Sequence, residues 1–502
     1  MLRRVIVILA FVTLQHSVAA QEHEHGNQAE KIGSVHFATS CNDAAQPKFD
    51  RAVALLHSFE FGASIKGFES VVAADSTCAM AYWGIALSRW SNPMAAGNRT
   101  ASQLAPGRSA VDSALLIAPH ATDRERQYIA AVGELYNDFE NTPQAARMAA
   151  YERAMNDLVL RQPADTEAMI FHAISIVALA SPADKTFANQ KKAGAILEPL
   201  WKKQPNHPGL AHYLIHTYDY PSLAAHGSAA AREYSEIAPA TPHALHMPSH
   251  IFTRTGLWQK SIDTNRKSMT VALSSGSIAE VLHAADYAEY AYLQLRRDSL
   301  AKSIVDQLPD LAARFDPNAI TGAAPGSAGV FALAAIPARY ALERDAWGEA
   351  AALEPKGSAF PWTEAMTYFA RALGAAHTKN PNKARASVDS LAAIRDRLAP
   401  REQYWSEQVA IQHLAAKAWL ELETGNPDSA LADMRQAAAR EDATEKNAVT
   451  PGPLAPAREL LGDMLMKLNR PRQALAEYQK TLAKEPNRRR ALSGAARARK
   501  LL

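Results

Sequence analysis

The sequence has few of the residues that interrupt helices. Only 23 of its 502 residues are glycine, whereas alanine, leucine, glutamate, lysine and arginine are abundant, which favours helix over strand. No stretch alternates apolar and polar residues with β-branched enrichment, so we predict no β-sheet. A chain of this length exceeds one ordinary hydrophobic core, and we expect several domains or a repeat array.

Long apolar runs and basic clusters are also missing. Beyond residue 20 no run reaches the ~20 apolar residues that span a bilayer, so we expect no membrane insertion of the mature chain. Residues 1–20 have the features of a secretory signal peptide, with a basic start, an apolar run over residues 5–14 and small residues up to Ala20. We therefore expect export to the periplasm or the medium. The net charge of +3 gives no indication of a nucleic-acid partner.

The motifs of several common enzyme classes are absent. The chain has no His-Glu-x-x-His, Gly-x-Ser-x-Gly, phosphate-binding loop or Cys-x-x-Cys. The sequence therefore supports no particular reaction, and whether the protein is an enzyme stays open.

Cysteine is rare, with two residues, Cys41 and Cys78. In an exported protein an even number of cysteines permits a disulfide, and the alternative is a pair of buried thiols. Cys41 precedes the first expected helix, and Cys78 begins the second helical hairpin. Equivalent helices of a repeat array start about 8–10 Å apart, close enough for the preceding segment to bridge. We predict a Cys41–Cys78 disulfide.

The clearest internal repeat lies over residues 457–486, which read ARELLGDMLMKLNRPRQALAEYQKTLAKEP. Leu461-Gly462, Ala474, Tyr478 and Pro486 fall at the spacings of a 34-residue helical hairpin. Small residues let two antiparallel helices approach, the tyrosine fills the gap between them, and the proline ends the pair. The unit closely resembles the tetratricopeptide repeat (TPR), and the final RALSGAARARKLL resembles a capping half-repeat.

The hairpin pattern recurs less regularly in the N-terminal part. Phe68 takes the aromatic position of one hairpin, and Trp83-Gly84 takes the Leu-Gly position of the next. We predict an all-α, TPR-like α-solenoid of antiparallel helix pairs in two blocks. The expected divisions are a signal peptide (1–20), an extended segment (21–44), a first block with the histidines (45–316), a join rich in Gly, Pro, Ser and Ala (317–330), and a second block with its capping half-repeat (331–502).

A wider resemblance covers most of the chain after residue 20. The segments HFATSCNDAAQPKFDRAVALLHSFEF, CAMAYWGIALS and PHALHMPSHIFTRTGLW resemble a group of exported bacterial TPR proteins with no assigned activity. The resemblance implies a scaffold that binds a peptide or protein partner in a concave groove, and it implies an exported location.

Histidines are concentrated in one window. Eight of the 17 lie between His207 and His283, where an even spread would place fewer than three. Two His-x-x-x-His pairs, His212 with His216 and His246 with His250, are 34 residues apart, which is the repeat length. Residues four apart share one helix face, so each pair points in one direction.

The repeat assigns these histidines to equivalent places. With Leu-Gly at places 7 and 8 of a unit, both pairs occupy places 5 and 9 of consecutive units, and His243, His283 and Asp286 fall at places 2, 2 and 5. The resemblance implies that these places line the groove. We predict that the four paired histidines converge on one concave pocket, with the other three residues at its edge.

Neutral imidazole is a preferred ligand of zinc and copper, and two pairs would complete a tetrahedral site. Alternatively, three histidines and Asp286 would leave one position open. Asp219, Asp286 and Glu280 are the nearest carboxylates in sequence that would hold the second ring nitrogens. Two other interpretations remain: the histidines contact a bound peptide, or they are structural and bond to nearby tyrosines or backbone carbonyls.

Pro248 lies inside the second presumed helix, where it removes a backbone donor. A kink there would re-aim His250 relative to His246. Glu167 and His172 belong to the helix before the histidine window and are candidates for one wall of the groove.

Two functions fit the sequence. The first is an exported TPR scaffold that binds a peptide or protein partner and whose histidine cluster binds zinc or copper. The alternative is a metal-dependent carrier or hydrolase that uses the same histidines.

Overall fold

The computed structural model describes residues 30–95 and 97–502, and these residues form helices and connections with no strand. The predicted all-α fold is confirmed. Residues 31–502 form one compact unit. The expected signal peptide, residues 1–20, lies outside the described part of the chain. None of the described helices combines the length and the apolar character needed to cross a bilayer.

The described residues contain 24 α-helices and one short 3-10 turn, Ala118–His120. The first twelve helices are α1 (Gln46–His57), α2 (Phe61–Ala74), α3 (Ala79–Trp90), α4 (Ala101–Ile117), α5 (Asp123–Glu134), α6 (Gln144–Arg161), α7 (Thr166–Ala178), α8 (Ala188–Lys203), α9 (Pro208–Tyr218), α10 (Ser228–Ile237), α11 (Pro242–His246) and α12 (Pro248–Arg254). The others are α13 (Trp258–Ser274), α14 (Ile278–Gln294), α15 (Asp298–Arg314), α16 (Gly326–Glu343), α17 (Trp347–Ala352), α18 (Pro361–His377), α19 (Pro381–Leu398), α20 (Gln403–Glu423), α21 (Pro427–Asp442), α22 (Ala457–Lys467), α23 (Pro471–Lys484) and α24 (Arg489–Lys500).

Neighbouring helices pack as hairpins at the small residues that the repeat pattern singles out. A Cβ atom on Gly462 of α22 would lie 2.7 Å from the ring of Tyr478 in α23, and one on Gly84 of α3 would lie 2.3 Å from the ring of Phe68 in α2. Glycine is therefore required where the aromatic ring of the paired helix crosses. These contacts are the ones expected of TPR-like helix pairs.

The segment before α1 is tied to the helices by a disulfide. The sulfur atoms of Cys41 and Cys78 are 1.97 Å apart, and their Cα atoms are separated by 4.9 Å. Phe37, in the same segment, is fully buried and stacks on Trp83 of α3 with ring centroids 5.5 Å apart. Residues 31–45 are therefore anchored to the core although they form no helix.

The predicted join over residues 317–330 contacts the N-terminal helices. Helix α16 begins within it, at Gly326. The backbone N–H of Ala324 donates to Glu280 of α14 at 2.6 Å, and the N–H of Gly62 donates to the carbonyl of Thr321 at 3.1 Å. The join therefore packs beside α14, one of the helices that carry the histidines.

A second long-range connection covers the same region. Residues 443–456, between α21 and α22, return to the N-terminal helices. Lys446 donates to Asp219 at 2.8 Å, and the hydroxyl of Tyr287 donates to the carbonyl of Thr450 at 3.0 Å. The groove that helices α9 to α14 would otherwise expose is closed by this connection.

Candidate metal centre

Six histidines lie together on three successive helical segments, α9, α11–α12 and α14. Each side chain is at most 7% exposed. The six residues are His212, His216, His243, His246, His250 and His283. The two predicted pairs are near each other, since the rings of His216 and His250 have centroids 6.0 Å apart.

The grouping of these residues differs from the predicted four-histidine pocket. One group, here the first triad, consists of His212, His216 and His243, and the second triad consists of His246, His250 and His283. Within each triad, one ligand atom per residue lies within 4.8 Å of the others. Each triad therefore joins places 5 and 9 of one repeat unit to place 2 of the next. The stagger of adjacent helices puts place 2, not place 5, opposite the pair.

The protonation of the second triad is fixed by its partners. The side-chain nitrogen of Asn265 donates to the carbonyl of Ser261 at 2.7 Å, so the oxygen Oδ1 faces His246. Nδ1 of His246 lies 2.7 Å from this oxygen and must carry the proton. Nε2 of His246 is therefore an unprotonated nitrogen whenever the ring is neutral.

His250 is fixed in the same way by Asp219. Nδ1 of His250 lies 2.9 Å from Oδ2 of Asp219. The other carboxylate oxygen, Oδ1, accepts a hydrogen bond from Arg254 at 2.9 Å. Burial alone would raise the pKa of Asp219, but Lys446 and Arg254 outweigh it and hold this pKa well below its usual range. Asp219 is therefore ionised and accepts the Nδ1 proton of His250.

The consequence is that two unprotonated nitrogens face each other. Nε2 of His246 and Nε2 of His250 are 3.1 Å apart. The ring of His283 lies beside them, with its centroid 4.4 Å from that of His246, and its buried Nδ1 has no hydrogen-bond partner among the described residues. Two of the three imidazoles therefore direct lone pairs at each other, and the ligand atoms of all three residues lie within 4.8 Å of one another.

The first triad has a similar arrangement. Nδ1 of His212 donates to the carbonyl of His57 at 2.6 Å, which leaves its Nε2 unprotonated when the ring is neutral, 3.0 Å from Nε2 of His243. Nε2 of His216 is buried without a hydrogen-bond partner among the described residues. Nδ1 of His243 lies 3.7 Å from Glu280. Three of the six rings, those of His212, His246 and His250, therefore have a carbonyl, amide or carboxylate oxygen behind them, as metal-binding histidines usually do.

Burial keeps these rings uncharged. Desolvation lowers the pKa of His250 to about 4 and that of His283 to about 3, despite the opposing effects of Asp219 and Glu280. It also holds the pKa values of His212, His216 and His246 well below their usual range, and the neighbouring histidines add to the effect. These five rings are therefore neutral nitrogen ligands at neutral pH.

The predicted concave pocket is a buried cluster, because aromatic side chains and the 443–456 connection cover it. The ring of Phe59 lies 4.5 Å from that of His212 and 5.9 Å from that of His243, between centroids. Tyr287 contacts His246 and His250, at 4.9 and 4.8 Å. A bound peptide could not reach these histidines without displacing the covering residues.

The Asp286 expectation needs correction, and the effect of Pro248, which the sequence left open, is settled. Asp286 does not lie at the edge of the cluster as a candidate ligand, because it forms a fully buried ion pair with Arg339 of α16. Pro248 does interrupt the helix, since α11 ends at His246 and α12 begins at the proline. The intervening Met247 keeps helical dihedral angles, so His250 still follows His246 on one face.

Comparisons with known proteins identify no family. No protein-family model matches the chain, and no curated protein matches it.

Three solved structures are examples of proteins with a similar arrangement of helices. The APC/C hetero-tetramer Cut9-Hcn1 is 12% identical over 90% of this chain and 76% of that chain, with a TM-score of 0.37. Yeast Tom70 is 13% identical over 91% and 95% of the two chains (TM-score 0.36). A human IFIT1 dimer with m7Gppp-AAAA is 12% identical over 84% and 90% (TM-score 0.43). These TM-scores are below 0.5, and the TPR-like character of the fold rests on the helix pairs themselves.

A third group of ligand atoms was missed at the sequence level. The His57 triad consists of His57, Glu167 and His207, whose ligand atoms lie within 4.8 Å of one another. Nε2 of His57 is 2.8 Å from Glu167, and Nε2 of His207 is 2.9 Å from its other oxygen. The three residues are far apart in sequence and share no repeat spacing. Only the packing of α1, α7 and α9 brings them together.

Proposed function

We propose that this protein binds divalent transition-metal ions, zinc or copper, in its two histidine triads. The observation that carries the proposal is the 3.1 Å approach of the Nε2 atoms of His246 and His250 while both Nδ1 protons are committed elsewhere. Two lone pairs at this distance repel, unless a proton or a metal ion lies between them. Burial lowers the pKa of His250 to about 4, which makes the proton unfavourable at neutral pH.

The distances suit metal ligands. Two nitrogens at 2.0–2.1 Å from one tetrahedral ion are about 3.3 Å apart. The two close Nε2 pairs, at 3.1 Å in the second triad and 3.0 Å in the first, need only small side-chain movements to reach this value. Three protein ligands leave a coordination position open, which suits a carrier that exchanges its ion or a hydrolase that activates water. We favour metal binding and transfer, because both triads are buried.

The test is the metal content of tag-free protein. EDTA-treated protein is dialysed against Zn²⁺ or Cu²⁺, and bound metal is measured by mass spectrometry. We expect the double variant His246→Ala/His250→Ala to lose at least one ion per chain. The matched control His120→Ala/His226→Ala, which removes two exposed histidines, should bind as the parent does. Equal metal content in all three proteins would refute the proposal.

Export of the protein is a second element of the proposal. The Cys41–Cys78 disulfide supports an oxidising compartment, because such bonds are rare in the cytosol. Residues 1–20 would then be removed after Ala20. Mass spectrometry of the protein purified from cells decides this, since we expect the mature chain to begin at Gln21.

Binding of a protein or peptide is the second candidate function, as the TPR-like helix pairs suggest. It is favoured by a polar surface pocket at the C-terminal helices that combines aromatic and basic side chains. These include Trp347, Trp419, Lys467, Arg489 and Arg497. Such a pocket suits acidic peptides. Fluorescence anisotropy with labelled acidic peptides should give weaker binding for Arg489→Ala/Arg497→Ala and unchanged binding for His246→Ala/His250→Ala.

A further inference from the structure

The His57 triad is the group of ligand-type side chains that neither histidine triad includes. Its residues come from three helical regions: His57 ends α1, Glu167 is the second residue of α7, and His207 directly precedes α9. All three are buried, with exposures of 0%, 4% and 1%. We propose that this triad is a separate binding site for a divalent transition-metal ion.

Glu167 is a buried carboxylate. Of the described ion pairs, those of Glu167 involve only His57 and His207, and its side chain is 5% exposed. A buried carboxylate is stable only with positive charge beside it, and a divalent cation held by these three side chains would supply that charge.

The ligand atoms of the three residues lie close together. Both Nε2 atoms point at the same carboxylate, one at each oxygen, at 2.8 and 2.9 Å. A shift of each side chain by about 0.5 Å makes room for an ion at ordinary bond lengths. Nδ1 of His57 lies 3.1 Å from the hydroxyl of Tyr213, which orients the ring from behind. Nδ1 of His207 is buried without a hydrogen-bond partner in the described structure.

Gly209 leaves the space that the ring of His57 occupies. A Cβ atom on Gly209 would lie 2.5 Å from Nδ1 of His57 and 3.1 Å from the ring of His207. Gly209 occupies place 2 of its repeat unit, where the next two units carry His243 and His283. In this unit the imidazole thus comes from α1 instead of from the repeat helix, and glycine leaves the room for it.

The ligand set differs from that of the two histidine triads. Two imidazoles and one carboxylate with open positions suit Zn²⁺, Co²⁺ or Fe²⁺ and are less selective for copper than three imidazoles. The site also contacts the first triad, because the carbonyl of His57 accepts the Nδ1 proton of His212 at 2.6 Å. With all three triads filled, the protein would bind three ions per chain.

The test uses Co²⁺, whose visible absorption reports its coordination. The full-length protein is stripped with EDTA, loaded with Co²⁺ and analysed for metal content, and circular dichroism checks the fold of each variant. Glu167→Gln removes the charge but keeps the size of the side chain, and we expect it to lose one ion per chain. Glu152→Gln is the matched control, because Glu152 bonds one histidine, His172, at 3.0 Å without a second one. It should lose none.

A quadruple histidine variant controls for misfolding of Glu167→Gln. In the quadruple variant His212→Ala/His216→Ala/His246→Ala/His250→Ala, one Co²⁺ should remain, and adding Glu167→Gln should remove it. Equal Co²⁺ content in the parent and Glu167→Gln would overturn the His57 site and leave the function proposed for the histidine triads standing. Loss of an ion in Glu167→Gln but none in His246→Ala/His250→Ala would support the His57 site and overturn that proposed function.

Discussion

Acid destabilisation of the metal-free protein should depend on histidines that fold as neutral rings. Burial lowers the pKa of His283 to about 3, whereas an unfolded histidine titrates near 6.5. Between these values the folded protein binds fewer protons than the unfolded chain. The stabilisation from the neutral ring is therefore fully present above pH 6.5. As the pH falls from 6.5 toward 3, the unfolding free energy decreases by about 1.4 kcal/mol per pH unit.

His283→Gln removes this titration. Other groups have the opposite effect: burial raises the pKa of Glu60 to about 8 and that of Glu441 to about 7, so both stabilise the fold as the pH falls. The informative quantity is therefore the difference between variant and parent. From pH 6.5 to 5.0 the EDTA-treated parent should lose about 2 kcal/mol more of its unfolding free energy than His283→Gln does.

The assay is urea unfolding followed by the helical circular dichroism signal at several pH values between 6.5 and 5.0. His226→Gln, which removes an exposed ring, is the control and should keep the pH dependence of the parent. If His283→Gln also keeps it, His283 becomes protonated without unfolding, and the neutral cluster described here is wrong.

Three further perturbations test other parts of the structure. Zinc at 100 times its dissociation constant should stabilise the EDTA-treated parent in urea unfolding by about 2.7 kcal/mol for each site that it fills, and a gain in His246→Ala/His250→Ala equal to that of the parent would contradict binding at the second triad. Cys41→Ser/Cys78→Ser should lower the unfolding free energy by about 4 kcal/mol, because the bond closes a loop with a sequence separation of 37, and an unchanged urea midpoint would exclude a stabilising crosslink. Lys446→Met should lower the unfolding free energy by about 3 kcal/mol, because its carboxylate partner Asp219 stays buried. An unchanged unfolding free energy in the same assay would mean that the 443–456 connection does not hold the cluster closed.

The helical fold could be predicted from local patterns. The spacing of Gly462 and Tyr478 indicated a hairpin, and the structure has the tyrosine ring directly over the glycine. A pattern of this kind is local, since it depends on residues within one helix pair. The histidine pairs were visible for the same reason, because a spacing of four places two side chains on one helix face.

The partners of each pair could not be predicted, because they depend on the stagger between helices. His212 was expected to face His246, but its Nε2 faces His243 at 3.0 Å. Asp286 has the right place in the repeat, yet Arg339, 53 residues further along the chain, forms an ion pair with it. The sequence does not show which of these competing partners lies nearer.

The most distant contacts left no sequence signal. The His57 triad depends on the packing of α1 beside α9, with 110 residues between His57 and Glu167. The cover over the second triad depends on Lys446, 227 residues from its partner Asp219. Such contacts arise when a repeat array folds back on itself, and neither spacing nor composition indicates that it does.

The central claim is that a metal ion binds between His246 and His250. The most direct measurement is an anomalous difference map from crystals of the protein loaded with Zn²⁺ and collected at the zinc absorption edge. We expect a peak about 2.0–2.1 Å from Nε2 of both residues, with His283 as a third ligand. A map in which zinc occupies only exposed histidines, with His246 and His250 in direct contact, would contradict it.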